Sequence, residues 1–142
     1  MDWRECEKKN LTKKVSPDLA FARSLVKSAD KKFETQTRIA IDDISAASKV
    51  SLLYDSLREL AEAISLIKGY RIYNHECYCA FFSEILGEPD LAEQFDAFRK
   101  IRNGINYYAR DLTAEEAQSL VPKLVGFIDK LKKEYLSGVK RK

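Results

Sequence analysis

The residues best suited to chemistry lie in one run, RKIRNGINYYAR, at positions 99–110. Arginine presents a planar fork that matches a phosphate group, asparagine has both donors and an acceptor, and tyrosine adds a phenol. No acidic residue lies between Ala97 and Arg110, so the run itself gives these cations no carboxylate partner. The segment therefore predicts a surface that binds a phosphate-bearing partner.

Helical spacing places these side chains on one face. At about 100° per residue, Arg99, Asn103 and Tyr107 follow one another along a helix, and Arg102 and Asn106 flank them. The same helix has an apolar stripe, which is made of Leu91, Phe95, Phe98, Ile105 and Leu112. The predicted anion-binding residues are Arg99, Arg102, Asn103, Asn106, Tyr107 and Arg110.

Size and composition favour one domain. The 142 residues are enough for a single core, and 45% hydrophobic residues exclude a disordered chain. Five Gly and three Pro favour long regular elements. A net charge of +3 does not by itself indicate a nucleic-acid-binding protein.

Two features of the sequence bear on where the protein works. No apolar run of about 18 residues is present, and the first residues lack an apolar signal region. Three Cys is an odd count that fits reduced thiols better than a disulfide framework. We therefore expect a cytoplasmic protein with no membrane span.

Amphipathic segments separated by clear stop signals predict an all-α fold, an up-and-down bundle of four to five antiparallel helices. Ser16-Pro17-Asp18 is typical of a helix start, with Ser16 as the N-cap. We expect Gly69 to end the longest helix and Asn74 to cap the next one. No segment alternates with period two, so we expect no sheet.

The last helix should start at a capping box formed by Thr113 and Glu116, and Pro122 should kink it or split off its first turn. We assign residues 1–15 to a basic N-terminal segment of uncertain structure, 16–136 to the bundle, and 137–142 to a basic flexible tail. Tyr108 lies beside the apolar stripe and is expected in a core or an interface. Gly104 suggests the close approach of another backbone, or neutral drift.

Arg102-Asn103 and Tyr107 resemble the motif of the HEPN superfamily. That motif is an arginine, often followed by asparagine, and then a histidine after four to six residues; here Tyr107 occupies the histidine position. The segments 16–20, 54–64, 68–70 and 74–77 also resemble archaeal HEPN proteins. The resemblance covers about Pro17 to Leu136. Many members have a tyrosine two residues beyond the motif histidine, where this chain has Ala109.

The resemblance implies a homodimer that binds RNA or a nucleotide, related to ribonuclease toxins that pair with nucleotidyltransferase-type antitoxins. Arg102 and Tyr107 would then be the catalytic candidates. A phenol with a pKa of about 10 is a poor base near neutrality, although it can donate a proton or stack under a base. We expect at most a weak, metal-independent ribonuclease. The alternative is a non-catalytic interaction module that pairs with itself or with a nucleotidyltransferase-like partner.

His75 is the one histidine of the sequence. With Cys79 it offers two ligands one helical turn apart, whereas zinc needs three or four, so we expect no metal and no cofactor. His75 either lies satisfied in the first turn of its helix or points toward the Arg102 face and supplies an imidazole there. The helix that contains His75, from Asn74 to Leu86, is apolar on two sides, which indicates central burial or cover by a second subunit.

Overall fold

The computed structural model describes residues 1–139. Over these residues the elements are α1 (Trp3–Lys8), β1 (Thr12–Lys14), α2 (Leu19–Thr37), α3 (Ala46–Ile67), β2 (Tyr70–Ile72), α4 (His75–Ala80), α5 (Pro89–Tyr108) and α6 (Ala114–Tyr135). A wider π-helical turn, Phe81–Ile85, continues α4. The prediction of an all-α helical bundle is confirmed.

Helix α3 is the centre of the core. Six of its large side chains are at most 1% exposed, and they are Leu53, Tyr54, Leu57, Leu60, Ile64 and Leu66. It packs against α2, α5 and α6. The Ser56 hydroxyl donates to the Ala29 carbonyl, and the Lys49 ammonium donates to the carbonyl of Gln36. Because positions rise on α3 as they fall on α2, these two helices are antiparallel.

Several local signals in the sequence act as predicted. The Asn74 side chain accepts from the N–H of Glu76 at 2.7 Å. Thr113 and Glu116 form both halves of a capping box. Gly69 follows α3 with a φ of +88°, a backbone conformation that favours glycine. Each of these signals depends on residues within three positions of one another.

Two helix predictions need correction. The N-cap of α2 is Asp18, whose carboxylate accepts from the N–H of Phe21 at 3.0 Å, and Ser16 precedes the helix. The N-cap is the residue directly before the first helical residue, and α2 begins at Leu19. Asp18 therefore caps the helix, and Ser16 is too far from the first turn to do so. Helix α6 also runs uninterrupted through Pro122, so its first turn is not split off, and the alternative of a kink at Pro122 stays a prediction.

The expectation of no sheet is wrong at one place. Strands β1 and β2 pair antiparallel, with Thr12 opposite Ile72 and Lys14 opposite Tyr70. Each strand is three residues long, which is too short to show an alternating pattern. The pairing joins the N-terminal segment to the chain that follows α3.

The N-terminal segment also packs into the core. Trp3 is 7% exposed, and its ring meets the Tyr70 ring edge-on with centroids 5.3 Å apart. The backbone N–H of Trp3 donates to Glu84 at 2.7 Å. Residues 1–15, which the sequence leaves without a definite structure, thus contribute one helix and one strand.

Cys6 and Cys77 form a disulfide with a Cα–Cα distance of 6.1 Å, so the expectation of reduced thiols is wrong for this pair. The two residues are 71 positions apart, and only the fold brings them together. Cys79 remains free. The bridge removes the argument for a cytoplasmic location that rested on the cysteine count.

Within residues 1–139, no helix is both long and apolar enough to span a membrane. The tail predicted for 137–142 is described only as far as Val139, whose side chain packs partly against the core. Its basic end, Lys140 to Lys142, lies outside the described residues.

We predict that Cys6→Ser lowers the free energy of unfolding by about 4 kcal/mol, because the bridge closes a loop of 71 residues. Thermal or urea unfolding of oxidised wild type and variant measures the loss. Cys79→Ser is the matched control and should change stability little. Finding three free thiols in the native protein by mass spectrometry would contradict the prediction.

Candidate functional site

Arg102 lies on α5 with its guanidinium against α3. Its Nη2 donates to Oδ1 of Asp55 at 3.1 Å, and its central carbon is 5.9 Å from the centroid of the Tyr54 ring. The side chain is 20% exposed. Since Tyr54 and Asp55 are consecutive on α3, one turn of that helix supplies both a carboxylate and an aromatic face for the cation.

Asn106 is the second polar neighbour of Arg102. Its amide is assigned with the oxygen toward the guanidinium, because only that orientation pairs an acceptor with donors. The oxygen then accepts from Nη1 at 2.7 Å and from Nε at 3.1 Å. The predicted pair of Arg102 and Asn106 is therefore brought together, one helical turn apart.

An aromatic cluster supports this end of the site. The Phe95 ring centroid is 5.8 Å from that of Tyr54 and 5.9 Å from that of Tyr78. Tyr78 in turn contacts the His75 ring at a centroid distance of 6.3 Å. Arg102 and His75 thus border one cluster, Tyr54–Phe95–Tyr78, which joins α3, α4 and α5.

Burial, together with nearby cations, lowers the pKa of the His75 imidazole. His75 is solvent-exposed at the start of α4, yet enough protein surrounds its ring for desolvation to lower its pKa. The cations of Arg58, Arg102 and Arg99 lower the pKa further, and Asp55 opposes them. Since the ordinary pKa is about 6.5, the ring is neutral at pH 7.

Tyr54 is buried to 1% exposure, and its hydroxyl has no hydrogen-bond partner. Burial raises the pKa of Tyr54 to about 12, although Arg58 and Arg102 oppose the rise. The phenol is therefore protonated at any physiological pH. It is an unsatisfied polar group directly beneath the Arg102 guanidinium.

The prediction of a cationic face without carboxylate partners is wrong. Three ion pairs neutralise it: Arg99 with Asp96 at 2.7 Å, Arg102 with Asp55 at 3.1 Å, and Arg110 with Glu116 at 3.4 Å. All three acids lie outside residues 99–110. Asp96 precedes the run by one helical turn, and the fold brings the other two from α3 and α6.

Helix α5 ends at Tyr108, whereas the predicted anion-binding residues extend to Arg110. Ala109 follows in the left-handed conformation with a φ of +51°, so Arg110 is not on the helix. Tyr107 and Tyr108 are 72% and 82% exposed. Tyr108 is therefore not in the core, and the interface position that was the alternative stays a prediction. Asn103 is half-buried.

Gly104 permits the chain reversal after α5. Its carbonyl accepts from the N–H of Arg110 at 2.9 Å, a pattern typical of helix C-termini. A Cβ at this position would lie 3.2 Å from Cδ of Arg110. The neighbour of Gly104 within this chain is therefore the Arg110 side chain, and no other backbone lies within 4 Å of that Cβ position among its three nearest atoms.

The sequence interpretation missed Asp55 and Arg58 as site residues. Asp55, Arg58 and Glu62 recur at helical spacing and form a polar stripe on a helix that is otherwise mostly buried. Arg58 approaches Glu62 with Nη1 3.5 Å from Oε1. This stripe could have indicated the site from the sequence alone. Charged residues on a mostly buried helix usually have partners on a neighbouring helix.

The cysteine and metal chemistry of the site is limited. Burial first, and then Asp96, raise the pKa of Cys79 to about 11, so its thiol does not form a nucleophilic thiolate near neutrality. Among residues 1–139, no group of three His, Cys, Asp or Glu side chains is arranged to hold a metal ion.

The chain matches no protein-family model, no curated protein and no solved structure. The resemblance to the HEPN superfamily therefore stays a prediction.

We predict that Tyr54→Phe keeps or raises the free energy of unfolding, by up to about 1 kcal/mol, because it removes a buried hydroxyl that has no partner. Tyr135→Phe is the matched control. It should lower stability by about 1 kcal/mol, since the Tyr135 hydroxyl donates a hydrogen bond to the Glu88 carboxylate. Urea unfolding of both variants gives the comparison. A loss at Tyr54 as large as that at Tyr135 would mean that its hydroxyl has a partner in solution.

Proposed function

We propose that this protein is HEPN-like and binds RNA or a nucleotide through the surface around Arg102. The supporting observation is the fixed orientation of the guanidinium. Asp55, Asn106 and the Tyr54 ring hold it from three directions, and 20% of the side chain stays open to solvent. A pre-oriented guanidinium loses little conformational freedom when it binds a phosphate.

The pairing with Asp55 leaves Arg102 able to bind an anion. A guanidinium has five N–H donors. Asp55 engages Nη2 through one oxygen, and the Asn106 oxygen lies within 3.1 Å of Nη1, Nη2 and Nε. A phosphate in the two-point geometry that arginine favours would take a donor that stays free and replace the Asn106 oxygen at another.

Tyr107 fits a role in binding better than one in proton abstraction. Its ring is 72% exposed at the end of α5, where a nucleobase can stack on it. We propose a protein related to ribonuclease toxins in which RNA binding outweighs cleavage. Any cleavage would be metal-independent and weak by this route.

We predict that Arg102→Ala weakens binding of a short single-stranded RNA by about 10- to 100-fold, the worth of one or two charge-assisted hydrogen bonds. Fluorescence anisotropy at two salt concentrations measures it, since phosphate binding weakens as salt rises. Arg23→Ala removes the same charge from an exposed position on α2, a helix that supplies no site residue. Equal losses in both variants, or no RNA or nucleotide binding by wild type, would refute the proposal.

A second candidate function is a non-catalytic interaction module. Two adjacent tyrosines, Tyr107 and Tyr108, are exposed at the end of α5, and aromatic residues are enriched in protein interfaces. The partner would be a second copy of this chain or a nucleotidyltransferase-like antitoxin. This candidate needs no free guanidinium, so the ion pairs of the three arginines do not weaken it.

We predict that replacing both Tyr107 and Tyr108 by Ser converts a dimer to a monomer while Arg102→Ala does not. Size-exclusion chromatography with light scattering measures the mass. Tyr73→Ser is the control, because Tyr73 is 57% exposed on the loop before α4. A wild type that stays monomeric at high concentration, and that binds no such antitoxin, would exclude the module.

A further inference from the structure

The two segments that contain β1 and β2, residues 8–17 and 63–75, carry positive charge that no acid of their own offsets. They contain no acidic residue and six cations, which are Lys8, Lys9, Lys13, Lys14, Lys68 and Arg71. Removing these six from the net charge of +3 leaves −3 for the rest of the chain. Among residues 1–139, every ion pair uses other cations. The unpaired charge is therefore local to this part of the fold.

The register of the two strands places two of these cations on the outer face. Lys13 lies directly opposite Arg71, and residues opposite each other in an antiparallel pair share one face. The residues on either side of Arg71 belong to the other face. Ile72 there is 8% exposed, and Tyr70 meets the Trp3 ring edge-on. Lys13 and Arg71 therefore share the face that is turned away from the core.

The placement of Lys13 opposite Arg71 is unfavourable in the free protein. Like charges directly opposite each other destabilise a strand pair. The paired segments supply no carboxylate that would offset the repulsion. A bound anion would relieve it, so this arrangement fits a surface that is stabilised by its ligand.

The Arg71 guanidinium is oriented by a contact that uses none of its donors. Its central carbon lies 5.8 Å from the centroid of the Phe21 ring. Over residues 1–139 it has no hydrogen-bond or ion-pair partner, so its five N–H donors are available. Arg102, in contrast, already donates to Asp55 and Asn106. Arg71 is thus the better prepared of the two arginines to bind a phosphate.

An exposed ring extends the same face. The N–H of Tyr73 donates to the Leu11 carbonyl at 2.8 Å, so the backbone pairing continues one residue beyond β2. Alternate residues of an extended chain share a face, which places Tyr73 beside Arg71. The Tyr73 side chain is 57% exposed. Cations next to an open ring are the combination that binds single-stranded nucleic acid, because the cations bind phosphates and the ring stacks on a base.

We propose that the outer face of β1 and β2, formed by Lys13, Arg71 and Tyr73, is a second contact surface for single-stranded RNA. The choice of RNA rests on the proposed function of the Arg102 surface. A duplex offers no unstacked base to Tyr73. An anionic membrane would attract the same cations, but the Phe21 ring is held against Arg71 and is not free to insert.

The two surfaces are separated along α3. Asp55 holds Arg102, and Lys68 caps the end of α3 next to β2. These two residues are 13 positions apart, which is about 20 Å at the rise of an α-helix. A stacked strand advances about 3.4 Å per nucleotide, so roughly six nucleotides cover this distance. An RNA of about 12 nucleotides can therefore reach both surfaces, whereas a trinucleotide reaches one.

The test compares Lys13→Gln/Arg71→Gln with Lys31→Gln/Lys133→Gln in the full chain. The second pair removes the same charge from two exposed lysines on α2 and α6. Fluorescence anisotropy measures the binding of a labelled 12-nucleotide single-stranded RNA and of a trinucleotide over a series of salt concentrations.

We expect Lys13→Gln/Arg71→Gln to weaken binding of the longer RNA by at least about tenfold. The slope of log affinity against log salt should become shallower by about 1.4, since each phosphate contact of a single strand contributes about 0.7. The gain in affinity from the trinucleotide to the longer RNA should fall as well, because only the longer RNA reaches both surfaces. The Lys31 and Lys133 variant should stay within about twofold of wild type.

Loss of folding is separated from loss of binding by thermal unfolding. Because the substitutions at Lys13 and Arg71 remove a repulsion, the variant should unfold at the temperature of wild type or above it. Lys13→Gln alone leaves the contact of Arg71 with Phe21 in place. It should still make the salt slope shallower by about 0.7.

The outcomes separate this inference from the proposed function. Equal losses in the two double variants would overturn it, since net charge alone would then explain the binding. It is also overturned if the Lys13 and Arg71 variant binds RNA like wild type but loses binding to phosphatidylserine vesicles. If that variant loses RNA affinity while Arg102→Ala does not, this surface stands and the proposed Arg102 surface fails. If wild type binds no RNA, both fail.

Discussion

The packing around Phe95 is the interaction on which the rest of the site depends. This ring is fully buried and contacts the rings of Tyr54, Tyr78 and Phe82, with centroids 5.4–5.9 Å apart. Tyr54 belongs to α3 and Tyr78 to α4, so one side chain of α5 fixes three elements relative to each other. Edge and tilted contacts of this kind are specific in geometry as well as apolar. The polar side chains at the rim are therefore held by a core that cannot shift one of these helices without disturbing the other two.

The sequence predicts those parts of the fold that depend on neighbours in the chain. The capping box at Thr113, the Asn74 cap and the left-handed Gly69 each involve a few consecutive residues, and all three are found where they were expected. The Cys6–Cys77 bridge and the β1–β2 pair join positions about 60 to 70 apart, and no local pattern specifies them. The same is true of Asp55 and Arg102, which are 47 positions apart. The sequence consequently predicts that Arg99, Arg102 and Asn106 share one helix, which is α5, but it does not identify Asp55 of α3 as the partner of Arg102.

The ion pairs of Arg99, Arg102 and Arg110 change the kind of ligand that the surface around Arg102 would favour. An unpaired row of arginines would attract any anion through its net field, and its affinity would depend strongly on salt. Here Asp96, Asp55 and Glu116 offset Arg99, Arg102 and Arg110, and the whole chain has a net charge of only +3. Recognition would then depend on where the N–H donors point. A group with the correct oxygen spacing gains hydrogen bonds, whereas a diffuse polyanion gains little.

The alanine at the end of α5 has a consequence for the two tyrosines that precede it. Left-handed backbone is disfavoured for residues with a Cβ by roughly 1–2 kcal/mol, and Ala109 adopts it at a φ of +51°. The last turn of α5 therefore ends at a position of local strain, whereas Phe95 is fully buried in the middle of the helix. Unwinding the last half-turn would relieve this cost and redirect Tyr107 and Tyr108, and Arg102 would keep its contact with Asp55 of α3. Under the proposed function, a ligand held at Arg102 would then select the direction of the two rings.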